Sequence, residues 1–250
     1  MQTEERFMAP RGWRLHHVAE TSSTNDLARE SGKEEAPERT LFVADHQTSG
    51  RGRLGRGWLE PPGGSLLFSI LFRRHPSQSF LLTMLCSVAA CEAIEKVSGV
   101  RVEIKWPNDL MAGGRKLAGV LTEAVWQPGN GFIVVGMGIN VNFDPSSVPG
   151  IPDNATSLLL ESGRRFSRPG LLHEILLHMD LLLGLNPVDL EREVRSRWAS
   201  RLWRRRQRVV ASDGGQTFEG VFEDVAEDGA LLLRLDDGSL MPLRVGDLRI

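Results

Sequence analysis

Apolar residues occur in short runs, broken by polar and glycine-bearing gaps, over the first part of the chain; helical spacing takes over later. The short runs predict strands at residues 14–19, 41–44, 65–72, 102–106, 117–126 and 132–141. Residues 80–97 are apolar almost throughout and predict a buried helix, closed by Gly99 at its C-terminus. Two further helices are predicted at residues 171–185 and 190–203. Nearer the start, Ser23 with Asp26 three residues on has the form of a capping box, and Leu27-Ala28-Arg29 continue the helix it opens. The segment 45–57 is polar and dense in glycine, so it cannot pack as a regular element.

The pattern changes after Trp203-Arg204-Arg205-Arg206. From Val209 onward, short alternating runs are separated by Asp213-Gly214-Gly215, Asp228-Gly229 and Asp236-Asp237-Gly238. Asp-Gly between such runs is a hairpin signal, which predicts a small β-barrel at the C-terminal end. We therefore expect two domains, 1–204 and 205–250. At 250 residues the chain is long enough for one sizeable α/β domain and a small appendage. The basic run from Arg201 to Arg208 reads as the solvated end of an interdomain helix. No internal repeat is visible.

Composition narrows the class of protein. Hydrophobic residues make up 41% and charged residues 25%, ordinary for a soluble globular chain. A net charge of -2 points to no general affinity for nucleic acid. Cys86 and Cys91 lie five apart on the predicted buried helix and point in different directions, so they read as reduced core residues. The opening Met1-Gln2-Thr3-Glu4-Glu5 lacks the apolar stretch of a secretory leader, and no apolar run is long enough for a membrane span. The expectation is a cytoplasmic protein.

Three segments carry candidate chemistry. In residues 50–58, GRGRLGRGW, Arg51, Arg53 and Arg56 are interleaved with Gly50, Gly52, Gly55 and Gly57. Arginine matches carboxylates and phosphates as a planar charged fork, and glycine lets the backbone approach a ligand closely. The composition fits a ligand-gripping loop, and equally a flexible loop or a nucleic-acid contact. The second segment joins Lys105-Trp106-Pro107-Asn108-Asp109 to Arg115-Lys116-Leu117-Ala118-Gly119, with Gly113-Gly114 as the turn between two strands. A hairpin would bring Lys105, Asn108 and Lys116 together at a strand end; an ordinary exposed turn explains Lys105 and Arg115 as well. In the third, Gly136-Met137-Gly138-Ile139-Asn140, small residues interrupt a good strand, as happens where a ligand or another backbone approaches. Neither a dinucleotide fingerprint nor a P-loop occurs, so any ATP is held by another device.

Taken in order, Ser23-Thr24-Asn25, Gln47, GRGRLGRGW, KWPND, RKLAG and GMGIN resemble the biotin–protein ligase family over about residues 20–145. The resemblance implies an α+β fold: a mixed-sheet catalytic domain of the biotin/lipoate ligase type with a small C-terminal SH3-like barrel. It further implies formation of biotinyl-adenylate from biotin and ATP, with Mg2+, and transfer of biotin to a lysine of a carrier protein. The expected acceptor is the biotin carboxyl carrier protein of acetyl-CoA carboxylase. By similarity, Ser23, Thr24, Asn25 and Gln47 line the biotin head-group pocket, and Gly50, Arg51, Gly52 and Arg53 form the loop over biotin and the adenylate phosphate. Arg56, Trp58, Asn108 and Asn140 are expected near ATP. Lys116 contacts the biotin carboxylate and its phosphoryl partner and is the main catalytic cation, with Arg53 beside it. Asp109 either orients or deprotonates the incoming lysine, or fixes its loop through hydrogen bonds. Arg244 and Arg249 are the C-terminal candidates for a nucleotide contact. Metal ligands are not identifiable.

Only about twenty residues precede Ser23, too few for the three-helix DNA-binding unit that repressor members carry, so no DNA partner is expected. A homodimer is carried over from relatives that pair through their central sheets. Two other readings compete. A lipoate or octanoate ligase would share the fold and the adenylate chemistry, but is not expected to combine this arginine loop with KWPND. A non-catalytic biotin-binding module would need neither the arginine loop nor Lys116.

Overall fold

A computed structural model describes residues 6–126, 129, 131–213, 215–244 and 246–249. The N-terminal pentapeptide and Gly214 of the expected turn lie outside the described residues. The larger part of the chain forms a mixed seven-stranded sheet of β1 (Arg14–Thr21), β2 (Thr40–Gln47), β3 (Ser65–Phe72), β4 (Glu103–Lys105), β5 (Asp109–Ala112), β6 (Arg115–Val125) and β7 (Phe132–Asn140). Their order is β1-β2-β3-β7-β6-β5-β4, and only β1 and β2 run parallel. The crossover between those two is the helix α1 (Thr24–Lys33).

Strand alternation sorts side chains onto two faces. On β3 and β7, Leu66, Phe68, Ile70, Phe72, Ile133, Val135, Met137 and Ile139 join the main core under α2 (Ser79–Ser98), α4 (Arg168–Leu183) and α5 (Pro187–Ser200). Leu71, Phe132 and Val134 point the other way and pack on Ala28 of α1. A Cβ on Gly32 of α1 would strike the Phe132 ring, so glycine there sets how closely helix and sheet approach. Because α1 is short, it covers only part of its face; the uncovered part becomes the site described below.

The predicted elements are present, with informative differences. Helix α2 is buried as expected and ends at Gly99 in the left-handed region, φ 74°. Cys86 and Cys91 are free and buried on it, and burial pushes both thiols up. The capping box does not form. Ser23 caps α1 in extended geometry without a side-chain bond, because the Asp26 carboxylate is taken by Arg29 at 2.6 Å and by Arg51. Helices α4 and α5 start sooner than the apolar spacing indicates, since Ser167 and Asn186 cap them and a proline follows within the first turn. A five-residue helix, α3 (Leu158–Ser162), was not predicted; it is too short to show a period and is set by its Ser157 cap.

The largest correction concerns the expected hairpin. The strand before KWPND is only β4, and β5 intervenes, so Gly113-Gly114 joins β5 to β6 rather than β4 to β6. The β5–β6 ladder then slips: Leu110 faces Ala118 but Met111 faces Lys116, leaving Leu117 as the extra residue of a bulge. A bulge re-aims the side chains beside it. Lys116 consequently shares a face with Gly119, and a Cβ on Gly119 would lie 3.5 Å from Lys116 Nζ.

The C-terminal part is a five-stranded antiparallel sheet of β8 (Arg208–Asp213), β9 (Gln216–Val225), β10 (Leu231–Arg234), β11 (Leu240–Leu243) and β12 (Asp247–Arg249), ordered β11-β10-β9-β8-β12. It docks on the large sheet rather than standing apart. Leu202 bridges Ile104 of β4, Trp106 donates its indole N–H to Gly229 O at 2.9 Å, and Phe80 meets the same turn. One hydrophobic cluster runs through both parts. The basic run is largely neutralised at this junction: Arg201 pairs with Glu95, Arg205 with Asp224 and Arg208 with Asp236. No helix among the described residues is long and apolar enough to cross a membrane.

Candidate active site

On the face that α1 leaves open lies a cavity of about 530 Å³, walled by the Gly50–Trp58 loop and closed at one side by Gly246 and Asp247. Of the described residues assigned by similarity to biotin, ATP or catalysis, all line it except Gly50 and the C-terminal candidate Arg244. Gly50 instead shapes the neck of the loop: its carbonyl accepts from Trp58 N–H at 2.9 Å, and a Cβ there would sit 2.7 Å from Trp58 O.

The floor is the open stretch of β7. Gly136, Gly138 and Asn140 share the α1 face, while Met137 and Ile139 point into the core. Both glycines make room for side chains. A Cβ on Gly136 would overlap Asn25 Oδ1, and one on Gly138 would lie 2.6 Å from the Trp58 ring. Asn140 is more committed than expected: Nδ2 donates to Thr156 O at 2.9 Å and Oδ1 accepts from Ser65 Oγ at 3.4 Å. Its amide braces the floor.

At the Gly136 end the lining side chains Ser23, Thr24, Asn25 and Gln47 are uncharged amides and hydroxyls, and the last three are connected. Gln47 Oε1 accepts from Thr24 N at 2.7 Å and from Thr24 Oγ1 at 3.1 Å. Thr24 Oγ1 meets Ser69 Oγ at 2.7 Å, Ser69 donates to Asn25 Oδ1 at 2.6 Å, and Asn25 Nδ2 donates to Glu123 Oε2 at 2.6 Å. Ser23, Thr24, Asn25 and Ser69 are all buried. Such a chain leaves few rotamers open and presents a fixed hydrogen-bonding surface. Ser69 and Glu123 are members that sequence reasoning missed. Each is one polar residue in a strand, and nothing local marks it as a support behind the residues that line the cavity.

Toward Gly138, two residues or roughly 7 Å further along β7, the groups are cationic. Lys116 Nζ lies 2.8 Å from Asp109 Oδ1 and 5.7 Å from the centroid of the Trp58 ring. Asp109 is thereby positioned as the ion-pair partner of Lys116. Arg53 reaches over from the loop to Asn108 Oδ1 at 3.2 Å and Gly246 O at 3.5 Å. Burial lowers the Arg53 guanidinium from its usual range, with Asp109 and Asp247 opposing the shift. Asn108 turns its Nδ2 to Val120 O at 2.7 Å, which orients its oxygen toward Arg53.

Asp247, on β12, is another residue the sequence did not disclose. It takes Lys105 at 2.8 Å and Arg56 at 3.3 Å. Burial would raise its carboxyl, but these two cations outweigh that and hold it below the usual carboxylate range. Arg244 is directed elsewhere, to Asp228 at 2.9 Å, and the Arg249 side chain lies outside the described residues. The C-terminal contribution to the cavity among the described residues is therefore Gly246 and Asp247. Arg51 is also held apart from the other loop cations, by a two-pronged contact to Asp26 at 2.7 and 2.8 Å. That contact keeps the Asp26 carboxyl low.

Known proteins resemble this chain along most of its length. Residues 18–140 match the biotin/lipoate A/B protein ligase family, and residues 207–247 match the biotin protein ligase C-terminal domain. The bifunctional ligase/repressor BirA of Bacillus subtilis is 35% identical over 227 residues, spanning 87% of this chain and 68% of that protein. The biotin–[acetyl-CoA-carboxylase] ligase of Mycobacterium tuberculosis is 35% identical over 251 residues, spanning 95% of this chain and 89% of that one. Among solved structures, the biotin protein ligase of Aquifex aeolicus in complex with biotin and ATP superposes with a TM-score of 0.79 at 28% identity, covering 94% of this chain and 97% of that one. The chain belongs to the biotin–protein ligase family.

Proposed function

We propose that this protein is an ATP-dependent ligase that makes biotinyl-5'-adenylate and passes biotin to a lysine of a biotin carboxyl carrier protein, that of acetyl-CoA carboxylase. The observation that carries the reading is the polarity of the cavity. One end offers neutral, pre-ordered hydrogen-bonding groups suited to a ureido ring; the other gathers Lys116, Lys105 and the loop pair Arg53 and Arg56 from three separate segments. In the first step a biotin carboxylate oxygen attacks the α-phosphorus of ATP, and the bond to the bridging oxygen breaks to release pyrophosphate. In the second, the acceptor lysine amine attacks the acyl carbon, loses a proton, and AMP leaves with the electrons of the anhydride bond. Negative charge develops at phosphoryl and acyl oxygens in both steps, where fixed cations are most effective.

In this assignment Ser23, Thr24, Asn25 and Gln47 receive the head group. Lys116 faces the carboxylate and α-phosphate with Arg53 above them. Arg56 and Asn108 lie toward the nucleotide, and Trp58 packs between. Asp109 orients Lys116, and Arg51 anchors the loop to α1. Residues 1–204 form the catalytic unit and 205–250 the appended one that supplies Asp247. Among the described residues there is no group of three or more His, Cys, Asp or Glu that could hold a metal ion. Mg2+ enters on the ATP phosphates, in keeping with its habit of binding through phosphate and water. A homodimer and a cytoplasmic location belong to the same reading; β1, which has no partner strand on its outer edge among the described residues, offers the backbone for pairing two copies.

The direct test is incubation with Mg-ATP and either biotin or lipoate, followed by mass spectrometry of the acid-quenched mixture. Biotinyl-adenylate, with lipoyl-adenylate at background, is expected; the converse would move the protein to the lipoate branch.

The loop makes a separate prediction. Four glycines in nine residues give it many open conformations, so closing it costs entropy that ligand contacts must offset. Hydrogen exchange across residues 50–58 is expected to slow when biotin binds. Arg53→Gly removes the contacts to Asn108 and Gly246 O, and should let adenylate escape and label lysines on bystander proteins. Equal exchange in both states and no stray labelling would show that the loop does not retain the intermediate.

A further inference from the structure

We propose that Glu60 is a positioning residue that holds Gln47, and through it Thr24, in register at the neutral end of the cavity. The inference rests on the functional reading above and concerns a group that plays no part in it so far.

Strand β2 is paired with β1 along its whole length, as far as Thr21 opposite Gln47. Its pairing with β3 on the other side stops at Ala44 opposite Leu67. Beyond that point β2 has no strand on its second edge, and buried backbone groups there need another partner. Gln47 N–H finds it in Glu60 Oε1 at 3.2 Å. The same oxygen lies 3.1 Å from His46 Nδ1, while Oε2 is buried with no partner. The side chain of Glu60 is 0% exposed, an expensive place for a carboxylate whose second oxygen is unsatisfied. Burial accordingly raises its carboxyl above the usual range, against the opposing pull of Gln47 N–H and His46.

The position of this costly contact explains what it does. Gln47 stands just before the Gly50–Trp58 loop and Glu60 just after it, so one hydrogen bond ties the two roots of the loop together. On the opposite side, Thr48 and Ser49 N–H donate to Thr21 and Ser22 carbonyls at 2.9 and 3.0 Å. With both edges held, the Gln47 side chain can present Oε1 to Thr24 N and Oγ1 and keep its amide nitrogen beside Gly50, where a Cβ would lie only 3.1 Å away. Loss of Glu60 frees this edge at Gln47, two residues beyond the Asp45 carbonyl that Gly63 N–H holds at 2.9 Å, and the first group to drift is the amide that organises the head-group pocket. The cationic end is anchored independently by Asp109, Asn108 and Asp247, so chemistry on bound substrate should be little affected.

The experiment compares the whole protein with Glu60→Ala, Glu60→Gln and Glu60→Asp in steady-state adenylation and in biotin binding by calorimetry. Glu60→Ala is expected to raise both the KM and the Kd for biotin about tenfold, the size of one lost buried hydrogen bond, with kcat and the KM for ATP within roughly twofold of the parent. Glu60→Gln keeps the acceptor oxygen and should restore both constants to within about twofold. Unchanged biotin constants in Glu60→Ala, an equal fall of kcat and kcat/KM, or a Gln variant as damaged as the Ala one would each overturn the proposal. If Glu60→Ala fails to fold, Glu60→Asp, one methylene short of Gln47, carries the same comparison with a several-fold rise expected. Absence of biotinyl-adenylate in the parent would sink the functional reading itself; an active parent with indifferent variants would sink only the role of Glu60.

Discussion

Lys116→Ala is expected to slow biotinyl-adenylate formation by roughly 10²–10³, the usual effect of removing one preorganised stabiliser of developing charge. The ammonium is aimed before any ligand arrives. The Leu117 bulge turns it onto the cavity face, Asp109 holds Nζ at 2.8 Å, and the Trp58 ring lies beneath it at 5.7 Å. Its backbone is fixed as well, with N–H donating to Asn154 O at 2.7 Å and the carbonyl accepting from Thr156 N–H at 2.8 Å. A group held on so many sides loses little entropy in the transition state, and this makes its contribution larger than that of a mobile surface lysine. Biotin affinity should fall much less, because the head-group end is built from residues that do not touch Lys116. Rapid-quench measurement of a single turnover separates the two effects. A rate near that of the parent would remove Lys116 from the chemistry.

Trp106→Ala is expected to cost about 3–5 kcal/mol of stability, as for other buried tryptophans cut back to alanine. The indole is 1% exposed and stands where the large sheet meets the C-terminal one. Truncation opens a cavity between them and leaves the Gly229 carbonyl without its donor. Trp106→Phe keeps most of the ring and should lose only about 1 kcal/mol. Chemical denaturation followed by fluorescence and by circular dichroism checks both values. Because Gly246 and Asp247 reach the cavity only while the two parts stay docked, Trp106→Ala should also loosen Arg53 and Arg56. A shift below about 1 kcal/mol would mean that the ring is not what joins the two sheets.

Much of this protein was legible without coordinates. The strands, the buried helix with its Gly99 cap and the hairpins of the C-terminal part follow from period and turn chemistry, which act over a few residues and leave their mark locally. The arginine–glycine loop and the small residues at Gly136 and Gly138 also declared themselves, since such compositions are poor for packing and need another reason. What did not show was any feature defined by a missing or shifted partner. Ser69 and Glu123 are ordinary strand residues until α1 brings Thr24 and Asn25 against them. Glu60 follows a loop and precedes two prolines, with nothing in that setting to mark it as the partner of an unpaired β2 edge. Asp247 is far along the chain from the lysine and arginine it joins.

The sequence by itself determined which residue types were available, the order of the elements, and the presence of an arginine–glycine loop ahead of a glycine-interrupted strand, because these depend on chemistry and spacing within short windows. Only the tertiary structure decided which cations meet and what restrains them. A one-residue bulge in the β5–β6 ladder turns Lys116 from one face to the other, and strand alternation alone would have pointed it with Ala118 and Val120 into the core. Likewise, Arg51 is committed to Asp26 and Asn140 to Thr156 by contacts between elements distant in sequence. Register and docking are settled by the packing of whole faces, and a single chain of letters records that packing only in sum.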